Sequence, residues 1–382
     1  MDTSKPLPLL GGLSPAQFMR RHWQKKPLLV RQAIPGFAAP VSRSELFDLA
    51  AREDVESRLV THDEKKGWRL SHGPVQRRAL PPLSRREWTL LVQGVDLHVD
   101  AVYALMQPFR FLPDARLDDL LISYASDGGG VGPHFDSYDV FLLQASGKRE
   151  WRIGRQKDLT LREGLPLKIL DNFEPEEVFV LEAGDMLYLP PRYAHDGIAV
   201  GGDCMTYSIG LRSPAAHELA ADLMMRVADA RAEEEEERQD AGMSGRRYGD
   251  AGQAPMDAPA SIPAGLQAFA RQAVRDALSQ DAAIDCAFGE SLTEPKPNVW
   301  FDEGCPPQPG QGLRLDRRTR MLYDARHVFI NGESYRAGGR DATLMRRLAD
   351  RRALTAAEFA RASDGARALV ADWCEAGWIH GD

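Results

Sequence analysis

Between about residue 27 and residue 212, the hydrophobic positions form short β-branched or aromatic runs broken by proline, glycine and aspartate. Examples are KPLLVRQ, SRLVTH, LLISYAS, DVFLLQ, EWRIG, EVFVLEAG and MLYLPP. This spacing is typical of strands in an antiparallel sandwich or barrel. Ahead of these runs, Ser14 and Pro15 predict the start of a short helix, because serine caps helices and proline is tolerated at the first helical position.

At Ser213-Pro214 the pattern becomes helical. Apolar residues spaced by four predict a first helix, and apolar residues that share one helical face predict a second. These residues are Leu219, Leu223 and Val227 in the first helix, and Leu266, Phe269, Ala273 and Val274 in the second. Residues 241–262 between them are rich in glycine, alanine and proline, which indicates a flexible connection. We expect residues 213–295 to form a helical dimerisation segment, and hence a homodimer.

From residue 296 onward, strand-like and helical signals alternate. The run MLYDARHVFINGESYRA contains an Asn331-Gly332 hairpin turn, and Thr355 with Glu358 forms a capping box before the last apolar stripe. Strands with short helices predict a winged-helix-like module over residues 296–382. Residues 298–382 hold thirteen arginines against twelve acidic residues, so the module lacks the excess positive charge that DNA binding needs. A structural or protein-binding role is favoured.

Composition narrows the class of protein. The 382 residues are 43% hydrophobic and 27% charged, close to ordinary globular proteins. The chain has no long apolar run and no signal-like start, so we expect a cytoplasmic protein without a membrane partner. Four scattered cysteines with no CxxC pair argue against a zinc ribbon or a disulfide framework. A net charge of -8 makes direct nucleic-acid binding a poor expectation.

Candidate metal chemistry centres on His134-Phe135-Asp136. Residues i and i+2 of a strand share a face, so His134 and Asp136 can present an imidazole and a carboxylate to one ion. Further along, LEAGDMLYLPPRYAHDG places His195 just after a strand. If the strands form a double-stranded β-helix, His195 can complete a triangle. Two histidines and one carboxylate leave open metal positions, the arrangement of non-haem Fe(II) oxygenases, although His-x-Asp alone also occurs by chance.

Arg149 is the third element of the candidate site. It follows a Ser146-Gly147 turn, and alternation places it with Trp151 and Ile153 on the apolar, inward face of a strand. An inward arginine is costly unless it meets an anion. A dicarboxylate cosubstrate would supply that anion through a charge-assisted pair. The alternative is an internal salt bridge to a carboxylate of the chain.

At these residues the sequence resembles the bacterial JmjC-type ribosomal oxygenases, a branch of the cupin superfamily. The resemblance rests on FMRRHWQKKPLLV, SRLV, GGGVGPHFDSYDVFLLQ, GDMLYLPP with the distal His195, and YSIGLRSP. It covers the entire chain and implies an α+β protein: a double-stranded β-helix catalytic domain over residues 1–212, then the helical and winged-helix parts. The cupin pattern often has glycine two residues after the first proline, where this chain has Arg192.

The resemblance implies a 2-oxoglutarate-dependent dioxygenase acting as a protein arginine 3-hydroxylase. Its substrate would be large-subunit ribosomal protein number sixteen, with Fe(II), 2-oxoglutarate and O₂ as cofactor and cosubstrates and succinate and CO₂ as products. The iron ligands would be His134, Asp136 and His195, which are also the catalytic residues, and Arg149 would bind 2-oxoglutarate. Asp119 and Tyr138 would approach the substrate side chain, with Ser208 as a third candidate.

Physical chemistry supports part of this assignment, because a carboxylate and an aromatic face suit a guanidinium. Asp119 could instead simply begin a strand, and Tyr138 could be half-buried sheet surface. Other functions stay open at this point: a histidine hydroxylase, a metal-dependent cupin without 2-oxoglutarate, and a ligand-sensing cupin with a DNA-binding winged helix. Arg149 argues against the second, and the balanced charge of the C-terminal module argues against the third.

Overall fold

The computed structural model describes residues 2–240 and 246–382, apart from the side chain of residue 239. The described residues divide into two compact units, residues 1–213 with 297–300 and residues 214–296 with 301–382. Each unit has its own hydrophobic core. Among the described residues, no helix has both the length and the apolar character needed to cross a membrane.

The first unit is built on one antiparallel nine-stranded sheet. Its strands are β1 Leu28–Val30, β2 Ser57–Asp63, β3 Gly67–His72, β4 Trp88–Val92, β5 Leu117–Ala125, β6 Val140–Gly154, β7 Glu177–Leu181, β8 Met186–Leu189 and β9 Ala194–Leu211. Its α-helices are α1 Pro15–Arg21, α2 Arg43–Ala50 and α3 Asp100–Met106. The strand order is β1-β8-β6-β9-β5-β4-β2-β3, and β7 pairs with β6. Strands distant in the sequence therefore become neighbours.

Helix α1 begins where the sequence predicts. Ser14 and Gln17 form a capping box, and Pro15 stands at the first helical position. The helix buries Phe18, whose ring packs edge-on against Tyr188 of β8 at 4.9 Å between centroids. Burying a phenylalanine side chain contributes roughly 1.5–3 kcal/mol, so this contact attaches α1 firmly to the sheet.

Strand β6 is irregular in the middle, and this irregularity decides which side chains face inward. Its register against β9 shifts between Gln144 and Ser146 and again before Lys148. Leu142 on one side of the shift and Trp151 on the other consequently join the same buried cluster. The turn expected at Ser146-Gly147 is wrong as a chain reversal: it is a bulge inside one continuous strand, with Gly147 at φ 64°.

The second unit contains α4 Ala216–Asp240, α5 Ala264–Ala277, α6 Asp281–Thr293, α7 Gly339–Arg351, α8 Ala356–Phe359 and α9 Asp364–Glu375. Its strands are β10 Leu313–Leu315, β11 Met321–Tyr323, β12 His327–Ile330, β13 Glu333–Arg336, β14 Ala353–Leu354 and β15 Ile379–Gly381. The Asn331-Gly332 turn joins β12 to β13 with both residues at positive φ, and Thr355 and Glu358 form the predicted capping box. Residues 246–262 form no helix or strand, whereas 241–245, part of the predicted flexible connection, lie outside the described residues.

Candidate active site

His134 and His195 come together through a short antiparallel bridge. The backbone N–H of His134 donates to the carbonyl of His195 at 2.9 Å, and the reverse bond measures 2.8 Å. The ring centroids lie 4.2 Å apart. His134 and Asp136 do not belong to a regular strand as expected, because only His134 forms a bridge. The two side chains nevertheless converge with His195, since the bridge aligns this segment with the start of β9.

Both imidazole rings are oriented by backbone carbonyls. Nδ1 of His134 lies 2.8 Å from the carbonyl oxygen of Gly132, and Nδ1 of His195 lies 2.9 Å from that of Tyr193. A carbonyl oxygen can only accept, so each Nδ1 carries the proton and each Nε2 presents a lone pair. An outer hydrogen bond of this kind is what commonly orients a metal-ligating histidine.

Asp136 completes a compact group of three. Its Oδ2 lies 3.6 Å from Nε2 of His195, and one ligand atom from each of His134, Asp136 and His195 lies within 4.8 Å of the others. Burial, followed by the nearby His134, lowers the pKa of His195, which keeps the ring neutral and able to coordinate. Two nitrogens and a carboxylate oxygen suit a divalent transition metal and leave positions open for further ligands.

The loop between β8 and β9 carries the departure from the cupin pattern. Arg192 occupies the position often taken by glycine, and its backbone adopts a positive φ of 63°. Its N–H donates to the carbonyl oxygen of Asp136 at 2.7 Å, and its guanidinium lies over the ring of Phe135. The chain thus keeps the glycine-like conformation with an arginine, and the loop contacts the segment that bears Asp136.

Arg149 is 4% exposed and lies over the Trp151 ring, whose centroid is 5.7 Å from the guanidinium carbon. Its Nη1 donates to the carbonyl of Gly197 at 3.3 Å, whereas Nε and Nη2 are buried without a hydrogen-bond partner among the described residues. Trp151 in turn lies 5.8 Å from the His195 ring. Buried donors of a charged group that lack a partner are costly, so this arrangement fits a bound anion such as a carboxylate.

Asp119 lies in β5, Tyr138 follows Asp136 by two residues, and Ser208 lies in β9. Asp119 is 2% exposed in β5, at an irregularity in the β5–β9 pairing. Tyr138 is 39% exposed, and burial of its hydroxyl, then the charges of Asp136 and Asp119, raise its pKa. Ser208 is half-buried in β9, paired with Leu121 of β5 and Leu142 of β6. The charges of Asp136, a candidate metal ligand, and of Asp119 therefore both act on Tyr138.

Sequence reasoning missed three residues at this site. Gln93 donates to Asp119 and accepts from Arg58, and Gly197 lies against Trp151 so closely that a Cβ would stand 2.6 Å from the indole ring. No local motif marks Gln93 or Arg58, because each is an isolated polar residue at a strand. The alternation of β2, where Arg58 lies between the buried Ser57 and Leu59, is a signal that could have shown its orientation.

Fold and site together define a JmjC-type oxygenase of the cupin superfamily. The JmjC domain model matches residues 104–219, and a ROXA-like winged helix model matches residues 276–380. The predicted double-stranded β-helix and winged helix are confirmed. The winged-helix match begins twenty residues before the expected boundary at 296, and the three-part division at 212 and 295 stays a prediction.

The relatives define the family within that class. The chain is 36% identical over 355 residues to the ribosomal protein uL16 3-hydroxylase of Escherichia coli K12, covering 90% of both chains. It is 36% identical over 205 residues to a probable ribosomal oxygenase of Haemophilus influenzae, covering 53% of this chain and 50% of that one. The chain belongs to the JmjC-type ribosomal oxygenases, as its resemblance implied, and is a 2-oxoglutarate-dependent oxygenase of that family.

Solved structures agree over nearly the full length. An X-ray structure of E. coli YcfD superposes with a TM-score of 0.80 at 33% identity, covering 97% of this chain and 98% of that one. A structure of YcfD, described as a ribosomal oxygenase, in complex with cobalt and 2-oxoglutarate has a TM-score of 0.76 at 32% identity with the same coverage. The expected metal and 2-oxoglutarate are thereby confirmed as the cofactor and cosubstrate of the family.

Proposed function

We propose that this enzyme hydroxylates an arginine side chain of ribosomal protein uL16 at C3. The uL16 3-hydroxylase of E. coli, related over nine-tenths of both chains, supports the ribosomal protein substrate. The observation that carries the choice of arginine is the buried carboxylate of Asp119, whose charge acts on Tyr138, two residues after Asp136. A carboxylate with an aromatic face recognises a guanidinium better than a neutral imidazole.

His134, Asp136 and His195 would hold Fe(II). The two imidazoles and the carboxylate would bind the ion and leave coordination positions for the cosubstrate. When bound, the iron with 2-oxoglutarate and O₂ supplies the oxidising chemistry that hydroxylates the substrate and yields succinate and CO₂. The remaining tasks belong to the protein: to orient the ligands, to anchor the cosubstrate and to aim the substrate carbon.

Arg149 would anchor the far carboxylate of 2-oxoglutarate. Its buried Nε and Nη2 can donate to a carboxylate, while Nη1 remains on Gly197. Trp151 and Gly197 flank the guanidinium, and the apolar Ile153 follows on the same strand face. This environment excludes water around the ion pair, which strengthens it relative to an exposed pair.

On the substrate side, Asp119 would pair with the guanidinium and Tyr138 would contact it with ring and hydroxyl. Ser208 lies two residues before Gly210, where an added Cβ would stand 3.7 Å from Oδ1 of Asp119, so Ser208 shares the strand face that approaches Asp119. With its head group held, the arginine presents a fixed carbon of its chain toward the metal. Positioning of this kind is a large part of enzymatic rate enhancement.

The direct test is mass spectrometry of purified uL16 after incubation with the enzyme, Fe(II), 2-oxoglutarate and air. We expect a gain of one oxygen atom, located on an arginine by fragmentation and absent without 2-oxoglutarate. Asp119→Asn should reduce this product while leaving 2-oxoglutarate affinity unchanged. Oxygen found only on a histidine would favour the histidine hydroxylase instead, and unmodified uL16 would contradict the proposal.

We further propose a homodimer formed through α4 and α5. Apolar side chains are exposed on both helices, with Met225 at 63% and Val274 at 61% exposure. Helix α5 has no buried residue although its apolar residues lie on one face. Exposed apolar patches of this kind commonly mark protein interfaces. A cytoplasmic location and the lack of direct nucleic-acid binding remain predictions from composition.

A further inference from the structure

Gln93 lies between a buried carboxylate and an arginine at the substrate side of the site. Its Nε2 donates to Oδ2 of Asp119 at 2.8 Å, and its Oε1 accepts from Nη2 of Arg58 at 3.2 Å. Asp119 is almost fully buried. Arg58, Gln93 and Asp119 are thus linked in a row by hydrogen bonds, and the row ends at the Asp119 carboxylate, which is proposed to bind the substrate.

The chemistry of the two neighbours allows the Gln93 amide only one orientation. A guanidinium has only donors, and an ionised carboxylate has only acceptors. The amide must therefore turn its oxygen to Arg58 and its nitrogen to Asp119. A glutamate could not donate to Asp119, and a leucine could hydrogen-bond neither neighbour. Few residue types therefore suit this position, although it is only half-buried.

The backbone around this chain is held in place independently. The N–H of Gln93 donates to the carbonyl of Glu56 at 2.9 Å, one residue before β2. The chain then turns at Gly94, which has a positive φ of 61°. The carboxylate of the buried Asp96 accepts a hydrogen bond from the backbone N–H of Leu120 at 2.8 Å. That bond fixes β5 at its irregularity, beside Asp119. A bulge commonly serves to aim a side chain, and here both ends of the Gln93–Asp119 contact are anchored.

We propose that Gln93 is a positioning residue that makes the site selective for a cationic substrate side chain. It orients the Asp119 carboxylate by a charge-assisted hydrogen bond and keeps the Arg58 guanidinium one side chain away from that carboxylate. If the Arg58 guanidinium paired directly with Asp119, it would compete with the substrate cation. This inference rests on the proposed arginine hydroxylation and adds the residue that sets its charge selectivity.

The test compares two uL16 peptides that differ only at the target residue. One contains arginine and the other citrulline, which has nearly the same shape without the charge. The measured quantity is the ratio of kcat/KM for the two peptides. Their affinities are also measured by fluorescence anisotropy, anaerobically, with Mn(II) and 2-oxoglutarate bound. For the unmodified enzyme we expect a preference for arginine of about tenfold or more, the scale of one hydrogen bond to a charged group.

Two substitutions separate positioning from mere structural support. Gln93→Leu removes both hydrogen bonds, and Gln93→Lys keeps a donor to Asp119 but brings a cation to it. We expect both to lower the arginine-to-citrulline ratio about tenfold, through the KM and affinity of the arginine peptide rather than kcat. Gln76→Leu is the matched control, because exposed Gln76 donates one hydrogen bond to the carbonyl of Ala51, away from the site.

Peptide-independent turnover of 2-oxoglutarate and the melting temperature confirm that each variant is folded with an intact metal site. The proposal is overturned if arginine and citrulline peptides lose activity equally in Gln93→Leu, or if Gln93→Lys retains the arginine preference. If the unmodified enzyme hydroxylates neither peptide, the proposed function fails first, and this inference falls with it. If the unmodified enzyme prefers the arginine peptide and both variants keep that preference, the proposed role of Gln93 is overturned while the proposed function stands.

Discussion

At the scale of a single residue, the buried guanidinium of Arg149 needs an anionic partner. Two of its nitrogens have no partner among the described residues, although the group is charged and nearly inaccessible to water. A buried charge is tolerated when it is paired and hydrogen-bonded. The far carboxylate of 2-oxoglutarate would supply both the pairing and the hydrogen bonds.

We expect Arg149→Ala to weaken 2-oxoglutarate binding roughly ten- to a hundredfold, the equivalent of about 1.5–3 kcal/mol for a hydrogen bond to a charged group. Arg149→Lys should restore part of the affinity, since it keeps the charge but not the planar fork. Calorimetric titration under anaerobic conditions with Mn(II) bound measures the effect. Arg152→Ala is the control, because Arg152 is outward and pairs with Glu150. If Arg149→Ala leaves the affinity for 2-oxoglutarate unchanged, Arg149 has only a structural role.

Removal of one metal ligand should abolish function without unfolding the protein. We expect His134→Ala to lower metal affinity at least about a hundredfold, more than the loss of an outer hydrogen bond causes. The bridge to His195 uses backbone atoms and survives the substitution, so the melting temperature of the metal-free protein should change little. Metal titration and thermal melting measure the two effects, with exposed His72→Ala as control. Full coupled turnover by His134→Ala would contradict the ligand assignment.

At the scale of elements, the close approach of β6 and β9 supports the cosubstrate side of the site. Gly197 lies opposite Trp151, and a Cβ there would stand 2.6 Å from the indole ring. We expect Gly197→Ala to cost about 1–3 kcal/mol of unfolding free energy by overpacking, and to weaken 2-oxoglutarate binding by displacing the acceptor of Arg149. Denaturant unfolding measures the change in unfolding free energy. Gly202→Ala in the same strand, with open space around it, should be nearly neutral; equal effects at both positions would contradict this account.

The β8–β9 loop permits a second element-scale prediction. Arg192 has a positive φ, a conformation that disfavours β-branched residues most and glycine least. Arg192→Val should therefore destabilise the protein by about 1–2 kcal/mol, while Arg192→Gly should be neutral or better. Denaturant midpoints of the two variants give the comparison. If valine is tolerated as well as glycine, the loop does not depend on this conformation.

At the scale of the whole molecule, the exposed apolar side chains of α4 and α5 predict self-association. Light scattering at micromolar concentration should give twice the mass of one chain. Val274→Glu should shift the protein to the monomer, because it places a charge within the apolar stripe of α5. Val178→Glu is the control, since Val178 is exposed in the first unit. A monomer mass for the unmodified protein would rule out the dimer.

Sequence alone determined the features that depend on neighbouring residues. The helix cap at Ser14, the capping box at Thr355, the Asn331-Gly332 turn and the switch from strand to helix near residue 213 involve interactions within a few positions of the chain. The inward orientation of Arg149 also followed from alternation with Trp151 and Ile153. The triad was predictable because His-x-Asp and the distal histidine lie in recognisable segments, and the family resemblance joined them.

Only the tertiary structure decided which distant residues meet. Arg58, Gln93 and Asp119 come from β2, the end of β4 and β5, and no pattern along the chain connects them. The bulge in β6 could not be distinguished from a turn, because glycine at positive φ serves both and only pairing with β9 selects between them. Local patterns are set by the backbone of adjacent residues, whereas these contacts depend on strand register, which the whole packed sheet determines.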